Sequence, residues 1–93
     1  MNFRQLKAFD TVMRLGSITG AAKALHVSQP SVTRLVHELE SYLGFALFLR
    51  RGRGIAATVE ARRFHQAVES AFLNIERLDD LAATIRKTAV GKV

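Results

Sequence analysis

Apolar residues recur along this chain at helical spacing in three short segments, then at a period of two, then again at helical spacing over a long final stretch. In the first segment Leu6, Phe9, Val12 and Met13 make one stripe while Arg4, Lys7 and Arg14 lie toward solvent, which predicts a helix from Phe3 to Leu15. Asn2, with Gln5 three residues on, supplies a capping box, and Gly16 supplies the stop. The next two segments, Ile18 to Leu25 and Gln29 to Leu43, are separated by three residues, too few to do anything but swing one helix across the other. Ser17 and Ser28 stand just before them, where a hydroxyl accepts a hydrogen bond from an unpaired N–H of the first turn. Pro30 falls in that first turn, where a missing N–H costs nothing, and His26 takes the turn position that needs a positive φ. With Ile18, Ala21, Ala22, Leu25 and Val27 added to the apolar stripes, the pattern is a helix-turn-helix on a three-helix core.

Beyond Gly44 the period changes. Phe45, Leu47 and Leu49 alternate with Ala46, Phe48 and Arg50; then come Arg51-Gly52-Arg53-Gly54 and Ile55-Ala56-Ala57, which predicts a short β-hairpin with a glycine-rich tip. From Thr58, a helix cap with Glu60 in the following turn, Phe64, Val68, Phe72, Ile75, Leu78, Ala82 and Ile85 recur at intervals of three and four. One helix to about Thr88 is expected, a rod of roughly 45 Å at about 1.5 Å per residue. A core of this size cannot cover such a rod, so the stripe calls for another chain. A two-stranded homodimer is the simplest partner, flanked by Glu69, Glu76, Arg77, Asp79, Asp80, Arg86 and Lys87. For its first two turns the stripe has the alternative of folding back on its own domain. Ala89-Val90-Gly91-Lys92-Val93 lacks helical character and reads as a hinge or as the start of a further segment. The fold class expected is mainly α, a winged helix-turn-helix over 1–58 followed by a long linker helix over 59–90 and a hinge remnant over 91–93.

Chemistry enters through the third helix. Val32, Val36, Leu39 and Leu43 face the core, leaving Gln29, Ser31, Thr33, Arg34, His37, Glu38 and Ser41 outside. The leading exposed turn is small, polar and cationic: hydroxyls allow close approach, Gln and Arg offer paired donors to base edges, and free N–H groups attract phosphate. A plain surface helix in a bundle gives the same pattern. In the hairpin, Arg50, Arg51 and Arg53 are placed to reach a DNA backbone or an adjacent minor groove, whose negative potential attracts Arg. Alone, Arg-Gly-Arg-Gly would equally suit a solvated or RNA-binding loop.

Net charge sharpens this reading. Fourteen Lys and Arg against eight Asp and Glu give +6 over 93 residues, and the stretch from Met1 to Thr58 holds eight of the basic residues and three of the acidic ones. The basic surface is therefore N-terminal, and a polyanion such as nucleic acid is its natural partner, with an anionic membrane surface the weaker option. There is no cysteine, hence no disulfide or thiolate metal site, which fits a reducing cytoplasm. No apolar run approaches a membrane span and no signal-peptide pattern opens the chain, so a soluble cytoplasmic protein is expected. His26, His37 and His65 are too scattered to share a metal; Ser41 stands where the second His of a zinc-protease motif begun by His37-Glu38 would be. Asp79 and Asp80, adjacent on a helix, point apart. No catalytic constellation, metal site or cofactor is expected.

Asn2-Phe3-Arg4-Gln5-Leu6, Gly16-Ser17-Ile18-Thr19, Ala21-Ala22, Leu25 through Arg34, Leu39-Glu40, Leu43-Gly44 and Leu47-Phe48-Leu49-Arg50 closing on Arg53 resemble the N-terminal DNA-binding domain of LysR-type transcriptional regulators. The resemblance is dense to Thr58 and rests on helix length and position after it. It implies a winged helix-turn-helix dimerising through antiparallel linker helices and binding double-stranded promoter DNA at interrupted inverted repeats. On it, Gln29, Pro30, Ser31, Thr33 and Arg34 face the groove, Arg50 and Arg53 make wing contacts, and Ser17 and Thr19 lie near the backbone. It also implies an N-terminal portion of a longer protein, with a small-molecule effector acting only through a C-terminal domain and a higher oligomer open to the full-length form. Three positions depart from the pattern: Gly20, where many members carry Arg; Leu35, where a polar residue is common; and Ala61, where Gly is usual. Leu35 has two options, a thymine methyl or a packing neighbour. A different class of function, a helical protein-interaction module docking a partner helix on the 64–85 stripe, would associate without any dependence on DNA.

Overall fold

Each of the three short helices starts and stops on its own local chemistry. The computed structural model describes the backbone from Met1 to Gly91 and side chains from Met1 to Ala89. It gives α1 (Phe3–Leu15), α2 (Ile18–Leu25), α3 (Gln29–Leu43), strands β1 (Phe48–Arg51) and β2 (Gly54–Ala57), and α4 (Val59–Gly91). Asn2 Oδ1 accepts from the Gln5 N–H at 2.9 Å while Gln5 Oε1 accepts from the Asn2 N–H at 3.2 Å, closing the capping box. Ser17 Oγ accepts from the Gly20 N–H at 3.0 Å, and Ser28 Oγ from the Ser31 N–H at 3.2 Å. Gly16 and Gly44 end their helices in the left-handed region, at φ +68° and +84°, and His26 ends α2 there at +58°.

The core forms where α1, α2 and α3 meet the start of α4. Phe9, Val12, Val32, Leu39 and Leu47 are fully buried, with Ala21, Ala22, Val36, Ala61 and Val68 around them. Leu35 joins the buried set, so it packs within the domain and is not free to meet a base. Val27, expected in the core, stays 37% exposed. Gly20 is a helical residue with a conventional φ, and a Cβ there would make ordinary contact with Ser17 at 3.5 Å and Leu15 at 3.7 Å. Gly20→Ala is therefore expected to stabilise the fold by about 0.5–1 kcal/mol through the lost chain entropy of glycine. Urea titration followed by circular dichroism would read the gain, and a loss of stability would show the site to be tighter than it looks.

The hairpin is shorter than the period-two pattern predicts. Strand pairing begins at Phe48, opposite Ala57, and runs to Arg51 opposite Gly54. Leu47 is buried, Phe48 turns its ring to within 5.9 Å of Phe9, and Leu49 stands 59% exposed, so the alternation expected from Phe45 breaks between Leu47 and Phe48. Glu40 on α3 holds this point: its Oε2 accepts from the Leu47 N–H at 2.7 Å and the Phe48 N–H at 3.3 Å, so both amides are bonded to α3 rather than to β2. At the tip, Gly52 has φ +58°, which suits a type II′ turn with glycine at its first central position.

Thr58 opens α4 as expected: its Oγ1 accepts from the Ala61 N–H at 3.0 Å and donates to the Ala46 carbonyl at 2.7 Å, tying the helix start to the hairpin's base. Ala61 is fully buried at this joint. The helix then runs past the expected end near Thr88 to Gly91, so Ala89, Val90 and Gly91 are helical rather than a hinge. No proline interrupts them, and a glycine costs only about 1 kcal/mol even inside a helix. Lys92 and Val93, the rest of the expected hinge remnant, lie outside the described residues.

The 64–85 stripe divides in two. Val68 is buried in its own domain's core, and Phe64 and Phe72 pack against that core. Phe64 lies 5.8 Å from Phe9 and 6.3 Å from Phe45, and Phe72 meets Phe3 edge-on at 5.5 Å. Val68 is thus committed within the chain, and Phe64 and Phe72 are half-buried against it, because α1 lies alongside the first turns of α4. Ile75, Leu78 and Ile85 remain 42%, 64% and 57% exposed, Ala82 is exposed, and Leu73 and Leu81 add to the bare surface. The 61 Å length against widths of 26 and 19 Å reflects this projecting half of α4.

Candidate nucleic-acid interface

The N-termini of α2 and α3 and the hairpin converge on one cleft of about 370 Å³. It is lined by Ser17 and Thr19 from the start of α2, Gln29 and Thr33 from α3, and Arg50 and Arg53 from the wing. Residues up to 36 positions apart in sequence are brought together because Glu40 holds the base of β1 against α3. Among the described residues no carboxylate forms an ion pair with Arg34, Arg50 or Arg53, so their charges are free for an anionic ligand. On the outer side of α3, Gln29, Pro30, Thr33, Arg34, His37, Glu38 and Ser41 form a second, open concavity. Gln29 and Thr33 belong to both surfaces, so one helix carries a continuous face from the cleft to the solvent side.

Two of the predicted contact residues, Ser31 and Arg51, lie elsewhere. Ser31 sits a further 200° round the helix from Gln29, is half-buried, and its hydroxyl is 2.8 Å from that of Ser28, so the two hydroxyls occupy each other at the cap. Arg51 pairs with Gly54 while Arg50 pairs with Ile55; successive side chains on a strand point to opposite faces, which turns Arg51 away from the cleft that Arg50 lines. Lys7, a solvent-side cation of α1, places its ammonium 5.4 Å over the Phe72 ring.

Two residues outside the predicted set join the site. His37 follows Thr33 by four and Arg34 by three, so it extends the same face, and that spacing was the signal for it. Glu40, late in α3, positions the wing through the amides of Leu47 and Phe48. Glu38 also acts within the domain, accepting from Gln5 Nε2 at 3.4 Å.

Residues 3–62 match the family model described as bacterial regulatory helix-turn-helix protein, lysR family. The chain belongs to the LysR family. Among curated LysR-family proteins, it is 40% identical over 91 residues to the octopine catabolism/uptake operon regulatory protein OccR of Rhizobium meliloti, covering 98% of this chain and 31% of that one. It is 35% identical to the transcriptional activator protein LysR of Escherichia coli K12, covering 100% of this chain and 30% of that one. The chain thus spans under a third of these relatives' length. The fold matches solved LysR-family structures: the CbnR DNA-binding domain in its DNA complex (TM-score 0.83, 39% identity, 90% of this chain and 97% of that one). The BenM DNA-binding domain bound to benA site 1 DNA superposes equally well (TM-score 0.85, 30% identity, 91% and 96%). The two-stranded hairpin after three helices is the wing of this family's winged helix-turn-helix, and the long helix follows it as in those structures.

Proposed function

We propose that this chain is a sequence-specific DNA-binding module of a bacterial transcriptional regulator. On this reading it binds double-stranded promoter DNA as a homodimer on an interrupted inverted repeat, with residues 1–58 as the DNA-binding unit and the helix beyond them as linker and dimer contact. The observation that carries the reading is the cleft joining both helix N-termini to Arg50 and Arg53, on a fold whose relatives are solved with DNA. Within it α3 enters the major groove by its N-terminal end, where Gln29 and Arg34 present paired donors to adenine or guanine edges. The wing lies over the flanking minor groove, while Ser17 and Thr19 approach the backbone at the N-terminus of α2. No catalytic step is assigned to the chain, and its place of action is the bacterial cytoplasm, at the chromosome.

The test is fluorescence anisotropy with a duplex selected from random sequence by this protein, against a scrambled duplex, over a salt series. The selected duplex is expected to bind far more tightly, with a log–log salt slope of about −5 to −7 for roughly six to eight phosphate contacts per dimer. Arg34→Ala should cost about 1–3 kcal/mol on the selected duplex and relax selectivity at one base position. Arg53→Ala should instead weaken binding to every duplex alike and flatten the slope by about 1 per site. Equal binding of the two duplexes, or indifference to both substitutions, would overturn the assignment.

A further inference from the structure

One buried polar contact lies outside the DNA-binding surface. Asp10, on α1, is only 1% exposed, and its Oδ1 is 2.8 Å from His65 Nε2 on α4 and 3.1 Å from Arg14 Nε. A carboxylate this deep needs donors, so the Nε2 proton of His65 points at it. The ring itself is packed edge-on to Phe9 at 5.6 Å, with Nδ1 3.6 Å from Glu69 Oε1, beyond hydrogen-bond reach. The rest of the seating of α4 on α1 is aromatic, through Phe9–Phe64, Phe3–Phe72 and the Lys7 ammonium over the Phe72 ring, and none of these contacts is a hydrogen bond. Apolar contacts tolerate sliding and rolling, whereas a buried hydrogen bond has one register. The Asp10–His65 bond is therefore the contact that fixes the angle at which α4 leaves the domain.

We infer that Asp10 and His65 are positioning residues that set which spacing between two DNA half-sites the protein accepts. The inference rests on the dimeric reading above, in which the outer half of α4 joins the two DNA-binding units. Leverage makes the angle matter. From His65 to Ile85 is about 30 Å of helix at about 1.5 Å per residue, so a tilt of about 10° moves the outer end by roughly 5 Å. One base-pair step is about 3.4 Å. A loosened seat would thus spread the two recognition helices over more than one register, without touching any residue that meets DNA.

The experiment compares the wild-type chain with His65→Leu, His65→Gln and Asp10→Asn on duplexes whose two half-sites are separated by a graded series of spacers, and on a single half-site. Leu matches the ring's bulk without a donor; Gln keeps an N–H near the Nε2 position. The wild type should favour one spacing over its one-base-pair neighbours by about tenfold or more. His65→Leu should bind a single half-site within about twofold of wild type and reduce that preference to about twofold, and His65→Gln should restore it. Asp10→Asn keeps an acceptor for His65 and should retain most of it. A sharp preference left intact by His65→Leu overturns this inference alone. A wild type indifferent to spacing overturns the dimeric reading and this inference together. Loss of single-site binding in His65→Leu, with an unfolded circular dichroism spectrum, assigns the pair to fold stability and overturns the positioning role.

Discussion

Phe9→Ala is expected to remove about 3–5 kcal/mol of stability, the range for truncating a large buried aromatic. Phe9 is fully buried, and its ring lies 5.9 Å from Phe48 of the wing, 5.8 Å from Phe64 and 5.6 Å from His65 of α4. One side chain on α1 thus supports the wing and the linker helix at once, and a cavity there undercuts both. Small domains have about 5–15 kcal/mol in total, so the variant would stand near its unfolding threshold at 37 °C. Phe3→Ala is the matched control: Phe3 is 56% exposed and meets chiefly Phe72, so its loss should cost well under the Phe9 value. Urea titrations of both variants at one protein concentration give the comparison, since association would shift the midpoints. A Phe9→Ala cost under about 1 kcal/mol would mean that the core can collapse around the gap, and that Phe9 is not its centre.

What the sequence makes legible is whatever is encoded within a few residues. The caps at Asn2, Ser17, Ser28 and Thr58 and the left-handed stops at Gly16, His26 and Gly44 each pair a side chain or a φ with a backbone group at most four positions away. The exposed face of α3 is equally local, because Gln29, Thr33 and Arg34 follow from a 3.6-residue period alone. Asp10 and Glu40 escape that reasoning. One finds its partner 55 residues on and the other holds a turn seven residues on, and neither distance corresponds to a repeat. The sorting of Arg50 and Arg53 from Arg51 required the strand register, at whose start Glu40 binds the amides of Leu47 and Phe48. Periodicity in α4 gave the apolar face correctly but not its occupant: α1 covers Phe64 to Phe72, and no residue of the described chain covers Ile75 to Ile85.

Leu78→Asp is expected to abolish self-association and lower affinity for a two-half-site duplex by about a hundredfold or more. Leu78 is 64% exposed in the middle of the bare stripe, between Ile75 and Ile85. Burying such a side chain is worth about 1.5–3 kcal/mol, and a carboxylate in its place brings a desolvation cost instead. In a two-fold symmetric interface each substitution acts twice, so the dimer loses both contributions together. The link to DNA is effective concentration. When two DNA-binding units are joined, the second half-site is met at about millimolar effective concentration, and avidity exceeds single-site affinity by about 10²–10⁴-fold. Leu78→Asp should forfeit that gain and leave single-half-site binding unchanged, because Leu78 lies on the projecting part of α4, away from the cleft. Sedimentation equilibrium reads the mass and anisotropy on one- and two-half-site duplexes reads the avidity. A variant that still sediments as a dimer and still gains from the second half-site would place the joining surface somewhere other than this stripe.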